Sequence, residues 1–175
     1  MKTIFAINGS ASENSANQKL IEHICDLTKG DFEFIIFNDL KNLPHFDPAI
    51  SIGNTPKIIL DFRAAIAKAD GILICTPEYV FSIPSGLKNA LEWCVSTTVF
   101  SNKATGIITA SAQGEKGHEE LQLIMKTLMA RFTDETTLLI QGIKGKINDK
   151  GEIADPKTNN DLERFIEAFK KLVSG

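Results

Sequence analysis

The sequence predicts an α/β fold in which five parallel strands form one doubly wound sheet with helices on both faces. Five short apolar runs recur along the 175 residues, and segments with helical spacing of apolar residues separate them. The runs lack the strict alternation of a half-exposed strand, which indicates strands covered on both faces. Because a helix follows each strand, right-handed crossovers connect parallel strands. Such a chain favours the strand order 2-1-3-4-5, and residues 1–175 are expected to form a single domain.

The predicted strands are short runs rich in Ile, Phe, Leu and Thr. In chain order they are Thr3–Ile7, Phe34–Phe37, Gly71–Cys75, Thr105–Ala110 and Thr136–Ile140. Helices are predicted where apolar residues recur at intervals of three and four. These segments are Leu20–Leu27, Ile59–Ile66, Leu87–Val95, Leu121–Met129 and Leu162–Phe169. Two segments fall outside the repeat: Asn42–Pro56 is predicted to be a long loop, and Lys146–Ala154 a small hairpin around Asn148–Gly151.

Composition excludes several classes of function. A net charge of -3 and a pI near 5.6, with no basic stripe, argue against a nucleic-acid partner. The first apolar run is broken by Asn8 and Gly9, too early for a signal peptide or a membrane span, so a cytoplasmic protein without membrane contact is expected.

The three cysteines form no C-x-x-C pair and are predicted to be buried free thiols. His45 and His118 are interpreted as solvated loop residues, and no metal site is predicted.

The loop after the first strand, Asn8–Asn17, has the composition of an anion cradle. Ser10, Ser12, Ser15 and Asn17 stand where the chain enters a helix, and the free N–H groups of a helix start favour a bound anion. The loop matches neither the P-loop nor the dinucleotide-binding glycine pattern. A polar turn that ends in a helix cap at Asn14 or Ser15 fits the same composition.

Two further loops stand at the same predicted edge of the sheet. Thr76–Gly86 carries the only tyrosine, Tyr79, together with two prolines, and this stiff aromatic loop suits the edge of a planar heteroaromatic ring. A rigid turn whose aromatics only pack on a helix is the alternative. Within this loop Glu78 is expected to order the backbone or an interface. The loop after the fourth strand, Ser111–Gly117, offers Ser, Gln and Gly at a helix entrance, which is a weak signal alone.

Taken together, these residues resemble the NADPH-dependent FMN reductase family. The resemblance rests on Gly9-Ser10 followed by Ser15 and Asn17, and on Thr76–Tyr79 with Ser82–Pro84 ahead of Leu87–Trp93. In weaker form it extends over nearly the whole chain. It implies a flavodoxin-like fold, a homodimer or homotetramer, and hydride transfer from NADPH or NADH through FMN to a small acceptor such as a quinone, a flavin, an azo dye or a metal oxyanion.

The resemblance also implies a set of cofactor contacts in the three loops. They are Ser10, Ser12, Ser15, Ala16, Asn17, Thr76, Pro77, Glu78, Tyr79, Val80, Ser111, Gln113 and Gly114. The first loop is expected to bind the phosphate, and the other two to border the isoalloxazine ring. No side chain is expected to act as a catalytic acid or base, because the flavin carries the redox chemistry. The helix that contains Leu91, Trp93 and Val95 is expected at a subunit interface.

The chain departs from the family pattern at charged positions. Ser12 and Glu13 stand where the family commonly has an arginine, and His118 follows the fourth-strand loop where a second arginine is usual. The loss of a guanidinium that could pair with phosphate leaves the choice between NADPH and NADH open. Two alternatives to a reductase therefore remain: a non-enzymatic flavodoxin-type electron carrier, and a binding protein whose flavin site has decayed.

Overall fold

The sheet of the computed structural model, which describes residues 1–148 and 151–175, is all parallel with the order β2-β1-β3-β4-β5. Its strands are β1 (Lys2–Asn8), β2 (Phe32–Phe37), β3 (Gly71–Thr76), β4 (Ala104–Ser111) and β5 (Thr137–Gln141). The predicted fold class and strand order are confirmed. The predicted strand boundaries differ from the observed ones by up to two residues. At β5 the prediction includes a residue outside the strand: Thr136 belongs to a 3-10 turn, Asp134–Thr136, in which its hydroxyl accepts the N–H of Thr133, so β5 starts one residue later.

Five α-helices connect and follow the strands. They are α1 (Ala16–Leu27), α2 (Lys57–Lys68), α3 (Ser85–Glu92), α4 (Glu115–Thr127) and α5 (Pro156–Ser174). Further 3-10 turns cover Leu40–Asn42 and Ile143–Gly145. The helix starts follow from local chemistry: the Ser15 side chain accepts the N–H of Gln18, and Asp155 caps α5 ahead of a proline in its first turn.

Two hydrophobic clusters, one on each face of the sheet, explain the continuous apolar runs. On one face α2, α3 and α4 cover the sheet with side chains such as Phe62, Leu91 and Met125. On the other face α1 and α5 cover it with side chains such as Ile24 and Phe165. All six residues of β3 are buried, because this strand lies under helices on both sides. The covered sheet leaves its carboxyl edge as the place where loops meet.

The long loop Asn42–Pro56 is anchored to α3 in the same chain. The indole Nε1 of Trp93 donates to the carbonyl oxygen of Pro44 at 2.8 Å, and the Phe46 ring packs edge-on against Trp93 with 5.2 Å between ring centroids. The expectation of an apolar interface face on α3 is therefore wrong in part. Trp93 and Leu91 are 0% and 1% exposed inside this packing, and only Val95, at 62%, faces out.

The segment predicted to be a hairpin is paired at its ends. Ile147 and Ile153 form an antiparallel bridge, and the N–H of Gly151 donates to the carbonyl oxygen of Asn148 at 3.0 Å. The two residues at its tip, Asp149 and Lys150, lie outside the described residues. Among the helices that are described, none is long and apolar enough to cross a membrane.

Candidate functional site

A cavity of about 970 Å³ opens at the carboxyl edge of the sheet, between the loops that follow β1, β3, β4 and β5. This edge is where ligands bind in open α/β sheets. The first two loops contribute Ser10, Ser12, Glu13, Asn14, Ser15, Ala16, Asn17, Lys19, Pro77 and Tyr79; the other two contribute Ala110, Ser111, Ala112, Gly142, Ile143, Lys144, Gly145, Ile147 and Asn148. The lining is thus polar at the α1 end and more apolar above β4 and β5.

The loop after β1 is held tightly against β3. Its Gly9 N–H donates to the carbonyl oxygen of Cys75 at 2.8 Å, and a Cβ atom at Gly9 would lie only 2.3 Å from the Thr76 hydroxyl oxygen. A side chain at this position would collide with Thr76, so only glycine fits there. The buried Asn8 side chain then accepts the Ser10 N–H at 3.1 Å. The start of the cradle is therefore fixed by packing before any ligand binds.

The first turn of α1 presents unpaired backbone donors to the cavity. Ser15 caps the helix through the Gln18 N–H at 3.1 Å, whereas the N–H groups of Ala16 and Asn17 have no hydrogen-bond partner within the described residues. Both residues line the cavity. Free N–H groups at the positive end of a helix dipole bind anions. This turn therefore has the chemistry of a phosphate site.

The Asn17 side chain has a structural task that its sequence position does not reveal. Its amide donates to the Ala110 carbonyl oxygen at 3.1 Å and accepts the thiol of Cys75 at 3.3 Å. These bonds tie α1 to β4 and β3. Any contact of Asn17 with an anion would accordingly come from its backbone N–H group.

Tyr79 lies at the base of a two-residue hairpin in the loop after β3. Tyr79 and Ser82 exchange backbone hydrogen bonds of 2.9 and 3.1 Å, and the turn between them has positive φ angles at Val80 (51°) and Phe81 (59°). Two positive φ angles define a type I′ turn, which a β-branched residue adopts only under strain. The Tyr79 hydroxyl lies 3.5 Å from the Ser10 hydroxyl, so the hairpin brings its aromatic ring to the cradle.

Two carboxylates clamp this hairpin to α4. Glu78 accepts the N–H groups of Gly114 and Gly117 at 3.3 and 2.8 Å, which caps the start of α4. In return, Glu120 on α4 accepts the Ser82 hydroxyl at 2.5 Å and the Ile83 N–H at 3.1 Å. The expectation that Glu78 orders the backbone agrees with this geometry. Glu78 thus occupies two of the N–H groups at the α4 start, those of Gly114 and Gly117, and its own negative charge there disfavours an anion.

A second cavity, of about 350 Å³, adjoins the first on the other side of the cradle loop. Leu40, Leu43, His45 and Pro84 line it, and Tyr79 lines both cavities. The space next to the Tyr79 ring is thus open from two sides.

The comparisons with known proteins bear directly on this site. A sequence model of the NADPH-dependent FMN reductase family matches residues 2–143. The chain belongs to this family. It is 30% identical to a 2-hydroxy-1,4-benzoquinone reductase of Burkholderia sp, over 97% of this chain and 95% of that protein. It is 28% identical to an NADPH:quinone oxidoreductase of Arabidopsis thaliana, over 98% of this chain and 93% of that protein.

Solved structures support the fold of this FMN reductase family member. The FerB flavoenzyme NAD(P)H:(acceptor) oxidoreductase from Paracoccus denitrificans superposes with a TM-score of 0.80, over 99% of this chain and 98% of that chain. At 23% identity, this similarity is evidence for the fold and not for a shared activity. The flavodoxin-like architecture predicted from the sequence is therefore shown.

The residues present fit FMN. The free N–H groups of Ala16 and Asn17 with the nearby serine hydroxyls suit a phosphate, and the cavity extends from them to Tyr79, where a ring system can lie. Of the predicted contacts, the lining includes Ser10, Ser12, Ser15, Ala16, Asn17, Pro77, Tyr79 and Ser111. The structure places the other five outside the lining: Thr76, Glu78, Val80, Gln113 and Gly114. Their roles as cofactor contacts remain predictions.

The wall that follows β5 is not among the loops predicted to form the site. Gly142–Gly145 and Ile147 line the cavity, although this segment carries no glycine-serine pattern like that of the first loop. A signal was available, because β5 ends at the same edge as the other parallel strands. Its loop therefore had to face the same crevice.

The burial of His118 and of one cysteine differs from the predictions. His118 is not a solvated loop residue: it lies half-buried in α4 with its Nδ1 2.9 Å from the Thr109 hydroxyl, and burial lowers its pKa. Cys75 and Cys94 are buried free thiols as predicted, whereas Cys25 is half-buried. Burial raises the pKa of Cys94 to about 12 and that of Cys25 to about 11. Neither thiol is therefore an activated nucleophile.

Proposed function

We propose that this chain is an FMN-dependent NAD(P)H oxidoreductase that reduces a small acceptor such as a quinone. The main observation behind the proposal is the cavity at the carboxyl edge of the sheet, which extends from the polar start of α1 to the hairpin that contains Tyr79. The chain belongs to the FMN reductase family, whose model matches residues 2–143. The quinone reductase names of the Burkholderia and Arabidopsis relatives support the class of acceptor. Free flavin, azo dyes and metal oxyanions are the other acceptors to test.

The protein's part in the reaction is binding and orientation. The α1 start and the hydroxyls of Ser10, Ser12 and Ser15 would hold the FMN phosphate, while the loop of Pro77 and Tyr79 would border the ring. The chemistry that FMN supplies when bound is the acceptance of a hydride from NAD(P)H and the delivery of two electrons to the acceptor. The clamped hairpin would keep Tyr79 in place and limit the access of water to the ring.

NADH is proposed as a donor beside NADPH. The cradle loop has Ser12 and Glu13 where an arginine could pair with a 2′-phosphate, and Glu13 adds a negative charge instead. Comparison of kcat/KM for the two nucleotides tests this proposal, since a strong preference for NADPH would contradict it.

We also propose that the chain acts in the cytoplasm as one domain and assembles as a homodimer or homotetramer. The exposed Val80 and Phe81, which are 93% and 71% exposed at the hairpin tip, support an oligomer because water-exposed apolar side chains beside a site favour a covering partner. Analytical ultracentrifugation tests the assembly, and a monomer at micromolar concentration would contradict it.

The enzymatic function is tested by steady-state turnover. The FMN-loaded protein should oxidise NADH or NADPH in the presence of 1,4-benzoquinone, and the rate should depend on the added FMN. An electron carrier of the flavodoxin type would bind FMN but would not oxidise the nucleotide without a partner reductase. A protein with a decayed site would show no dependence on FMN.

A further inference from the structure

Three charged side chains line the large cavity, and they do not balance. Glu13, Lys19 and Lys144 all contribute to its wall. The Glu13 carboxylate lies 3.4 Å from Lys41 Nζ and is thereby partly neutralised. Lys19 and Lys144 form no ion pair within residues 1–148 and 151–175. The wall therefore carries unpaired positive charge.

The two lysines reach the cavity from different elements. Lys19 is the fourth residue of α1, so its Cα lies about 4.5 Å along the helix axis from that of Ala16. Lys144 lies in the 3-10 turn Ile143–Gly145 after β5, on the wall formed by the last loop. The α1 start, with the unpaired N–H groups of Ala16 and Asn17, lines the same cavity. An anion held by those donors would share the cavity with both ammonium groups.

We propose that Lys19 and Lys144 supply the positive charge that neutralises the 5′-phosphate of FMN; this inference rests on the proposed function. A phosphate monoester carries nearly two negative charges at pH 7, and the cradle loop itself has Glu13 in place of an arginine. Lys144 lies just beyond the segment that the family model matches, residues 2–143. The charge missing from the loop is thus replaced from α1 and from the turn after β5.

The size of the effect follows from the exposure of the two ammonium groups. Lys19 is half-buried and Lys144 is exposed, so each should strengthen FMN binding about two-fold to five-fold, and the two together about four-fold to twenty-five-fold. Because the contribution is electrostatic, it should decrease as the ionic strength rises. Riboflavin has the same ring and ribityl chain without the phosphate, so its affinity should not depend on either lysine.

The test is a flavin fluorescence titration of wild-type protein, Lys19→Gln, Lys144→Gln and the double variant, each with FMN and with riboflavin. Lys126→Gln is the matched control, because Lys126 is exposed on α4 and does not line the cavity. The FMN affinity should fall in both single variants and most in the double variant, while riboflavin affinity and the control stay at wild-type values. Lys144→Arg should restore FMN binding.

Other outcomes would overturn the inference. Unchanged FMN affinity with a higher KM for NADPH would assign the lysines to the nucleotide instead. Equal weakening of FMN and riboflavin would mean that the lysines support the ring site or the fold. A wild-type protein that binds neither flavin would overturn the proposed function and the inference together, whereas tight FMN binding that ignores both lysines would overturn the inference alone.

Discussion

Replacing Glu78 with glutamine is expected to lower the free energy of unfolding and to weaken FMN binding. The carboxylate accepts the Gly117 N–H at 2.8 Å and the Gly114 N–H at 3.3 Å, and both donors belong to the positive end of α4. Glutamine has the same shape but is neutral and has only one accepting oxygen. One of the two backbone N–H groups then faces an amide NH₂ group.

The magnitude follows from these two bonds. A hydrogen bond to a charged acceptor contributes about 1.5–3 kcal/mol when buried, and less at a half-buried carboxylate with one long bond. With the helix-dipole contribution included, Glu78→Gln should cost about 2 kcal/mol. For a chain of this length, that corresponds to a decrease in Tm of roughly 4–8 °C. Because Glu78 precedes Tyr79 in the hairpin, the affinity for FMN should fall as well.

Urea unfolding monitored by circular dichroism measures the change, with FMN titration of the same samples. Glu119→Gln is the control, since Glu119 is an exposed residue of α4 whose one ion pair among the described residues is with Lys116 at 2.8 Å. Its removal should change stability by less than about 0.5 kcal/mol. If Glu78→Gln unfolds at the same urea concentration as the control, the clamp does not stabilise the hairpin and the reasoning is refuted.

Three further predictions concern Arg63, Val80 and His118. The buried Arg63 guanidinium donates to the carbonyl oxygens of Trp93 and Ser51, at 2.8 and 3.1 Å. In urea unfolding, Arg63→Met should therefore lower the free energy of unfolding by about 2–4 kcal/mol, and Arg63→Lys should lower it less. Equal losses in the two variants would contradict this role. Val80→Asn should raise the stability by about 1 kcal/mol, because asparagine tolerates the positive φ angle, and a lower Tm would refute the strain. Burial lowers the pKa of His118 in the folded protein below its ordinary 6.5. As the pH decreases, the unfolded chain therefore takes up the proton first. The free energy of unfolding should fall as the pH decreases from about 6.5 towards the folded pKa. His118→Asn should flatten this dependence in unfolding curves measured across that range, and an unchanged slope would contradict it.

The sheet was predictable from the sequence because its signal is local. Short continuous apolar runs such as Gly71–Cys75 favour strands covered on both faces, and helical spacing between them favours one common topology. The loops after β1 and β3 were also predictable, since the composition of Asn8–Asn17 and Thr76–Gly86 is unusual at strand ends. The same rule places the loop after β5 at this edge, since β5 pairs parallel to β4.

What the sequence could not indicate depends on the direction of single side chains. Asn17 stands at a helix start like an anion donor, yet its amide bonds Ala110 across the sheet edge. Trp93 follows an amphipathic helix like an interface residue, yet the loop that contains Pro44 covers it. Lys144 lies in a segment without a motif. The Asn17 and Trp93 side chains are held by contacts with residues far apart from them in the chain, which local patterns do not encode.

Anaerobic addition of NADH and of NADPH to the protein loaded with FMN tests the central claim most directly. The absorbance of bound FMN near 450 nm is the readout, followed by addition of 1,4-benzoquinone. An FMN-dependent oxidoreductase predicts rapid bleaching by at least one nucleotide without any partner protein, and recovery of the absorbance with the quinone. FMN that binds and keeps its absorbance with both nucleotides would contradict the claim.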